Sequence, residues 1–200
     1  MAIAAVLLAY LIGSVSFAVL VSRVMKLPDP RTYGSNNPGA TNVLRSGRKS
    51  AAVLTLIGDC AKGWFAVFLA GKFFATDAPS VDAIALAAIA AVVGHMYPLF
   101  HRFQGGKGVA TALGVLLGLN LWLGADTVAT WVIIAFFFRI SSLAALLAAL
   151  SAVCGCFMLY GLHPYTAATV VIALLLFWRH KSNIKNLLAG SEPRIGAKRT

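Results

Sequence analysis

Residues 109–138, VATALGVLLGLNLWLGADTVATWVIIAFFF, decide how many times this chain crosses a bilayer. An apolar run from Val109 to Leu117 is followed by an interruption through Gly118, Asn120, Gly124 and Asp126, and then by a second run from Val128 to Phe138. Each run is shorter than the roughly 20 residues that a perpendicular spanning helix needs. The stretch therefore reads as two short tilted helices or as one re-entrant hairpin. Two helices give seven crossings, and a hairpin gives five crossings plus a loop; seven is the reading adopted.

The rest of the chain sets that question in a membrane. Of 200 residues, 60% are hydrophobic and 12% charged, and the mean hydropathy is +0.83, more apolar surface than a soluble domain of this size can hide. Spanning runs lie near Ala2 to Val24, Ala51 to Ala75, Ala83 to Phe100, Ser142 to Tyr160 and Tyr165 to Trp178. The expected fold is all-α, a polytopic membrane helix bundle forming a single domain over residues 1–200.

Charge placement predicts its orientation. Apart from Lys62 and Lys72, all 17 Lys and Arg fall between Arg23 and Lys49, at Arg102, Lys107 and Arg139, or from Arg179 onward. The alternate connections, Thr76 to Asp82, Gly118 to Asp126 and Gly161 to Pro164, hold none. The basic side is then cytoplasmic, with the N-terminus out and the C-terminus in. The first apolar run has its basic residues, Arg23 and Lys26, after it rather than before it, so it reads as a retained helix and not a signal peptide. Cys60, Cys154 and Cys156 all lie in predicted spans, where a disulfide framework or zinc site is not expected. The net charge of +11 is accounted for by topology and anionic lipid, with no nucleic-acid partner.

Three polar stretches depart from this pattern. The first is Tyr33 to Arg45, YGSNNPGATNVLR. Gly34 and Gly39 allow close backbone approach, Ser35, Thr41 and Asn42 can donate hydrogen bonds, successive amides can form an anion nest, and Arg45 adds a planar fork suited to phosphate. The plainer reading is a tight turn before a helix capped by Thr41 or Ser50. The second is His101 to Thr111, HRFQGGKGVAT. There Gly105, Gly106 and Gly108 leave uncovered the amides that open the next helix, beside Lys107, an anion site in outline but not a Walker A loop. The third is Arg179 to Arg194, where His180, Asn183 and Leu187 recur at helical spacing, Gly190 ends the helix, and Glu192 is the only glutamate in the chain. A structural ion pair is the plainer role for Glu192.

Within the spans, Asp59 and Lys62 are spaced to pair on one helix face, His95 in Gly94-His-Met-Tyr-Pro98 reads as a satisfied polar group between helices, and Gly114-x-x-x-Gly118 suits close helix packing. The absences are as informative. No spacing of His and carboxylates suggests a metal site. No histidine has aspartate five positions later, the residues there being Phe100, Gly106, Ala168 and Lys185, and no Gly-x-Ser-x-Gly elbow occurs. What remains is a metal-free, donor-rich pocket at the bilayer surface, suited to phosphates and to a lipid substrate or product. The rival reading, a transporter for phosphorylated solutes, calls for polar residues on the outer half as well.

The segments GSNNPGATNVLR, GHMYPLFHRFQGGKGVAT and RHKSNIKNLLAGSEPRI, in this order, resemble the three motifs of the bacterial acyl-phosphate:glycerol-3-phosphate acyltransferases, and the likeness covers essentially the whole chain. The resemblance implies a seven-helix bundle in the inner membrane with its active site at the cytoplasmic face, active as a monomer and without cofactor or metal. It implies transfer of a fatty acyl group from acyl phosphate to the first hydroxyl of glycerol 3-phosphate, giving lysophosphatidic acid and phosphate. Carried over by motif, substrate contacts fall to Ser35, Asn37, Gly39, Thr41, Asn42 and Arg45, to Gly105, Gly106, Lys107, Gly108 and Thr111, and to His180 and Asn183, while Ser142, on the same face by topology, is expected to add a phosphate contact. Ser35, Arg45, Lys107, His180, Asn183 and Glu192 form the expected catalytic set, with Glu192 holding the third motif in place and a phosphate oxygen of the donor taking the hydroxyl proton. One departure stands out: Asn36 occupies a position where many relatives have glycine.

Overall fold

The computed structural model describes residues 2–74 and 80–196. Part of the expected Thr76 to Asp82 connection, and the basic residues Lys198 and Arg199, lie outside the described residues. Among the described residues the chain is helical without strands: α1 (Ala2–Gly13), α2 (Phe17–Val24), α3 (Ala40–Leu44), α4 (Lys49–Phe74), α5 (Ser80–Met96), α6 (Val109–Leu119), α7 (Leu121–Phe138), α8 (Ser141–Tyr160), α9 (Pro164–Arg179) and α10 (Lys181–Leu188). Among the described residues, five stretches are long and apolar enough to cross a membrane: Ala2–Val24, Lys49–Phe73, Val81–His101, Leu121–Phe138 and Ser141–Tyr160. Val109–Leu119 and Pro164–Arg179 are apolar but shorter.

This differs from the sequence expectation in two places. The run beginning at Val128 is only the second half of α7, which starts at Leu121, and the Tyr165 to Trp178 run belongs to one of the two shorter helices. For α7 the reason is Asn120. Its Oδ1 accepts the amides of Trp122 (2.9 Å) and Leu123 (3.3 Å), and its Nδ2 donates to Tyr160 Oη at 3.0 Å. One residue thus caps α7, ends α6 and ties the joint to α8. Gly124 and Asp126 lie inside α7: Gly124 sits against Leu117, and Asp126 accepts from Ser151 Oγ at 2.6 Å, which itself accepts from Thr130. The polar residues that looked like an interruption hold α7 to α6 and α8.

The first span is also broken, at 14–16, where Ser16 caps α2 by accepting from Val19 N. Gly13 lies against the Ala91 carbonyl, and Gly94 against the Tyr10 carbonyl, so α1 and α5 approach backbone to backbone. The same close packing joins α4 to α6, where Gly63 meets the Thr111 carbonyl and Gly114 meets the Cys60 carbonyl. The main core is correspondingly small-residue, with Ala5, Ala9, Ala66, Ala87, Ala91 and Val115 at its centre. A second cluster of Ala18, Val43, Ala51 and Ala52 supports the loop before α3. α7 lies outermost, with Trp122, Phe136 and Phe137 exposed, a surface that only lipid covers comfortably. The three cysteines are free; Cys154 is exposed and Cys156 buried, as their spacing on one helix requires.

Candidate active site

All three polar stretches meet at one end of the bundle. The Gly105–Gly108 loop enters α6 through Gly108, whose φ of +91° is the left-handed conformation that glycine alone adopts without strain. Gly106 N donates to His95 O at 3.1 Å, and the amides of Lys107 and Gly108 have no protein acceptor among the described residues. Lys107 Nζ donates to Asn183 Oδ1, Asn183 Nδ2 donates to Glu192 Oε1 at 2.6 Å, and Ser142 Oγ donates to the same oxygen at 2.7 Å. Glu192 therefore ties α10 to the start of α8, and its Oε2 is buried without a partner among the described residues. Past Glu192 the chain continues along α8's entry: Ile195 N donates to Arg139 O at 2.6 Å, and Arg139 Nη2 donates to Ile195 O at 3.1 Å.

The helix expected to run continuously through the third stretch is broken at His180, which ends α9 and begins α10. His180 is buried, and its Nδ1 lies 2.8 Å from Leu176 O, an arrangement that places the proton on Nδ1 and leaves Nε2 as an acceptor. Burial, followed by the charge of Lys107, pushes the imidazole down to about 4, so it is neutral at physiological pH. Burial likewise draws the Lys107 ammonium below the ordinary lysine range; Glu192 opposes that shift, while Arg179 and Arg45 add to it.

The first loop folds over this cluster. Ser35, Asn36 and Asn37 line one wall of a cavity of about 290 Å³, with Gly105, Lys107, Trp178, Arg179, Lys181 and Ser182 forming the rest. Arg45 ends α3 with its guanidinium exposed and unpaired among the described residues. Gly39, not Thr41 or Ser50, precedes α3, and Thr41 instead meets Ser141 Oγ at 3.3 Å. Asn42 is turned inward: its Oδ1 accepts Ser35 N at 2.9 Å, and its Nδ2 donates to Pro30 O and Tyr33 O at 2.7 and 3.1 Å. It shapes the loop and has no donor left for a ligand. Thr111 is fully buried and does not line the cavity.

Arg179, Lys181 and Ser182 also line the cavity; in the sequence, next to a membrane helix end, Arg179 and Lys181 look merely topogenic. The one available signal was their place in the same stretch as His180. Among the described residues, no three His, Cys, Asp or Glu side chains gather as metal ligands. The arrangement has the chemistry to hold an anion in a cation-rich cleft with open amides, beside a neutral imidazole acceptor and a carboxylate held by two donors.

Known proteins share this architecture. A relative from Ralstonia nicotianae, a glycerol-3-phosphate acyltransferase, is 61% identical over 191 residues, covering 96% of this chain and 92% of its own. Crystal structures of PlsY (YgiH), an integral membrane glycerol 3-phosphate acyltransferase, superpose with a TM-score of 0.90 for the glycerol 3-phosphate form and 0.89 for the lysophosphatidic acid form. Both are 37% identical to this chain and cover 98% of it, with 96% and 95% of their own lengths matched. The glycerol-3-phosphate acyltransferase family profile matches residues 3–190, and on these likenesses, spread over fold and motifs together, the chain belongs to that family.

Proposed function

We propose that this protein acylates glycerol 3-phosphate on its first hydroxyl, taking the fatty acyl group from acyl phosphate and releasing lysophosphatidic acid and phosphate for phospholipid synthesis. The observation that carries the reading is the hydrogen-bonded chain Lys107–Asn183–Glu192–Ser142, built from three distant stretches, with the Arg45 cation near enough to help draw the Lys107 ammonium below its ordinary range. The glycerol 3-phosphate charge is held by Arg45 and Lys107, with the open amides of Lys107 and Gly108 and the side chains of Ser35 and Asn37 cradling phosphate oxygens. His180 Nε2 accepts from a glycerol hydroxyl, and Asn183 orients it from the other side. Ser142, by tethering Glu192, helps hold the third stretch in place.

The chemistry asks for little more than this. An acyl phosphate is already activated, and orienting two reactants can supply about 7 to 11 kcal/mol. The glycerol oxygen bonds to the acyl carbon, the acyl–phosphate C–O bond breaks, and a phosphate oxygen takes up the hydroxyl proton. His180, held neutral with its proton on Nδ1, fits an acceptor that orients rather than an acid that donates. No metal and no cofactor enter.

The chain works as a single membrane domain over 1–200, as a monomer in the bacterial inner membrane, with its only macromolecular surroundings lipid. It crosses seven times, N-terminus out and C-terminus in, with the site facing the cytoplasm. The two shorter helices bury their middle residues against the bundle, Ala112, Val115 and Leu116 in one and Ala168, Ile172 and Leu176 in the other. The test is phosphate release by purified protein given palmitoyl phosphate with and without glycerol 3-phosphate. Release should require glycerol 3-phosphate, yield lysophosphatidic acid and disappear in Lys107→Ala. Equal turnover with acyl-CoA as donor would refute the donor assignment.

A further inference from the structure

We propose that Arg179 and His95 are positioning residues for this transfer: they grip the Gly105–Gly106 turn from two sides and thereby aim Lys107 and its amide at the substrate phosphate. The proposal rests on reading the Gly105–Gly108 loop as a phosphate cradle.

Arg179 has the chemistry of a phosphate ligand but spends its fork on the protein. Its Nη2 donates to Gly105 O at 2.9 Å and Gly106 O at 3.0 Å, and its Nε donates to Gly106 O at 3.2 Å. The guanidinium lies 5.4 Å from the centroid of the Tyr97 ring, which fixes its plane. Two consecutive carbonyls are thus turned toward one side chain. Because each peptide is planar and trans, the Gly106 and Lys107 N–H groups point the opposite way. The first is taken by His95 O at 3.1 Å; the second has no protein acceptor among the described residues and is left for a ligand.

His95 closes the grip from the membrane side. A methyl group at Gly105 would stand 2.1 Å from His95 O, and one at Gly106 would stand 2.1 Å from His95 Nε2, so the turn rests directly on this residue. The imidazole itself is locked. Lys62 Nζ has three donors and three partners: Asp59 Oδ1 at 2.8 Å, Val15 O at 2.6 Å and His95 Nδ1 at 3.0 Å. Nδ1 lies 3.0 Å from the Lys62 ammonium and 3.5 Å from Asp59 Oδ1, so the ring is held at that nitrogen and turns Nε2 toward Gly106. The buried Asp59–Lys62 pair, which helix spacing alone presents as structural glue, here sets the ring on which the cradle is seated. Without a fixed seat, a loop carrying several glycines would sample many backbone directions, and Lys107 with it.

The test uses the full-length enzyme in detergent, with palmitoyl phosphate as donor, and reads kcat, KM for glycerol 3-phosphate and the thermal midpoint. Arg179→Gln and His95→Gln should each keep the thermal midpoint close to that of the parent while lowering kcat/KM about 10- to 100-fold, as misplacement of a reacting group does. Arg179→Lys keeps the charge but loses the fork, and should recover little of the rate. In a Lys107→Arg background, where the aim of the cation is already altered, Arg179→Gln should cost much less than it does in the parent. Full recovery in Arg179→Lys, or losses that simply multiply in the double variant, would overturn the positioning role and make Arg179 a direct charge contact. Unchanged kinetics in both Arg179→Gln and His95→Gln would overturn it as well, while a Lys107→Ala protein with the parent rate would sink the cradle reading itself.

Discussion

Asn36 is the residue where a local departure becomes intelligible. Its φ of +55° lies in the left-handed region, which glycine adopts freely, asparagine tolerates and β-branched residues resist. Asparagine therefore holds the left-handed turn of the first loop without a glycine at this position. Asn36→Gly should leave acyl transfer within about twofold of the parent, whereas Asn36→Val should strain the turn by roughly 1–3 kcal/mol and raise KM for the anionic substrates; steady-state kinetics on the two variants decide it. His180 makes a second residue-scale prediction through pH. An unfolded histidine titrates near about 6.5, and here it titrates at about 4. As pH falls below about 6.5 the unfolded chain takes up a proton that the folded one refuses, so stability complete above that value is lost toward pH 4, by up to about 3 kcal/mol. Thermal unfolding at pH 7.5, 5.5 and 4.5 should show this decline, and His180→Gln should remove that part of it.

At the level of elements, contacts between glycines and backbone decide which helices are neighbours. A methyl at Gly114 would stand 1.8 Å from the Cys60 carbonyl oxygen, an atom that cannot swing away, so α4 and α6 would have to separate. Gly71 also lies on α4, but its nearest neighbour would be Ile84 Cδ1 at 3.8 Å, an ordinary contact. Gly114→Ala should therefore destabilise the protein by about 1–3 kcal/mol, while Gly71→Ala should stay within about 0.5 kcal/mol; thermal midpoints in one detergent compare them directly. The same scale explains the misread interruption before α7. Asn120 terminates one helix and caps the next within a single residue, so a Gly/Asn/Asp cluster that reads as a loop is mostly helix interior. Propensity is a weak prior where Ser151 supplies a partner for Asp126 and Leu117 fills the space over Gly124.

At the scale of the molecule, the proposed orientation places the basic end with the site inside the cell and the 161–164 turn outside. Leu162 is 97% exposed and Ser191 is exposed. In a variant whose native cysteines are replaced by serine or alanine, Leu162→Cys should react with an impermeant maleimide in cells with a permeabilised outer membrane, and Ser191→Cys only after the inner membrane is breached. The reverse pattern would invert the topology. Membrane residence, an all-helical fold and the three chemically distinctive stretches are legible in the chain because hydropathy, glycine placement and charge are local properties written residue by residue. The Asp59–Lys62 pair is legible for the same reason, being set by helix spacing alone. What no local pattern contains is which donors remain free. Asn42 and Thr111 have the right chemistry for a ligand and face inward, while Arg179 has the right charge for phosphate and is spent on two carbonyls. Those outcomes depend on which surfaces of α4, α5, α6 and α9 meet, and in a core of alanine and glycine that is settled by backbone-to-backbone fit between residues far apart in the chain. The sequence by itself determined the membrane, the helices and the three donor-rich stretches; only the tertiary structure decided which of their side chains line the cleft, because a hydrogen bond is allotted by three-dimensional proximity and not by residue type.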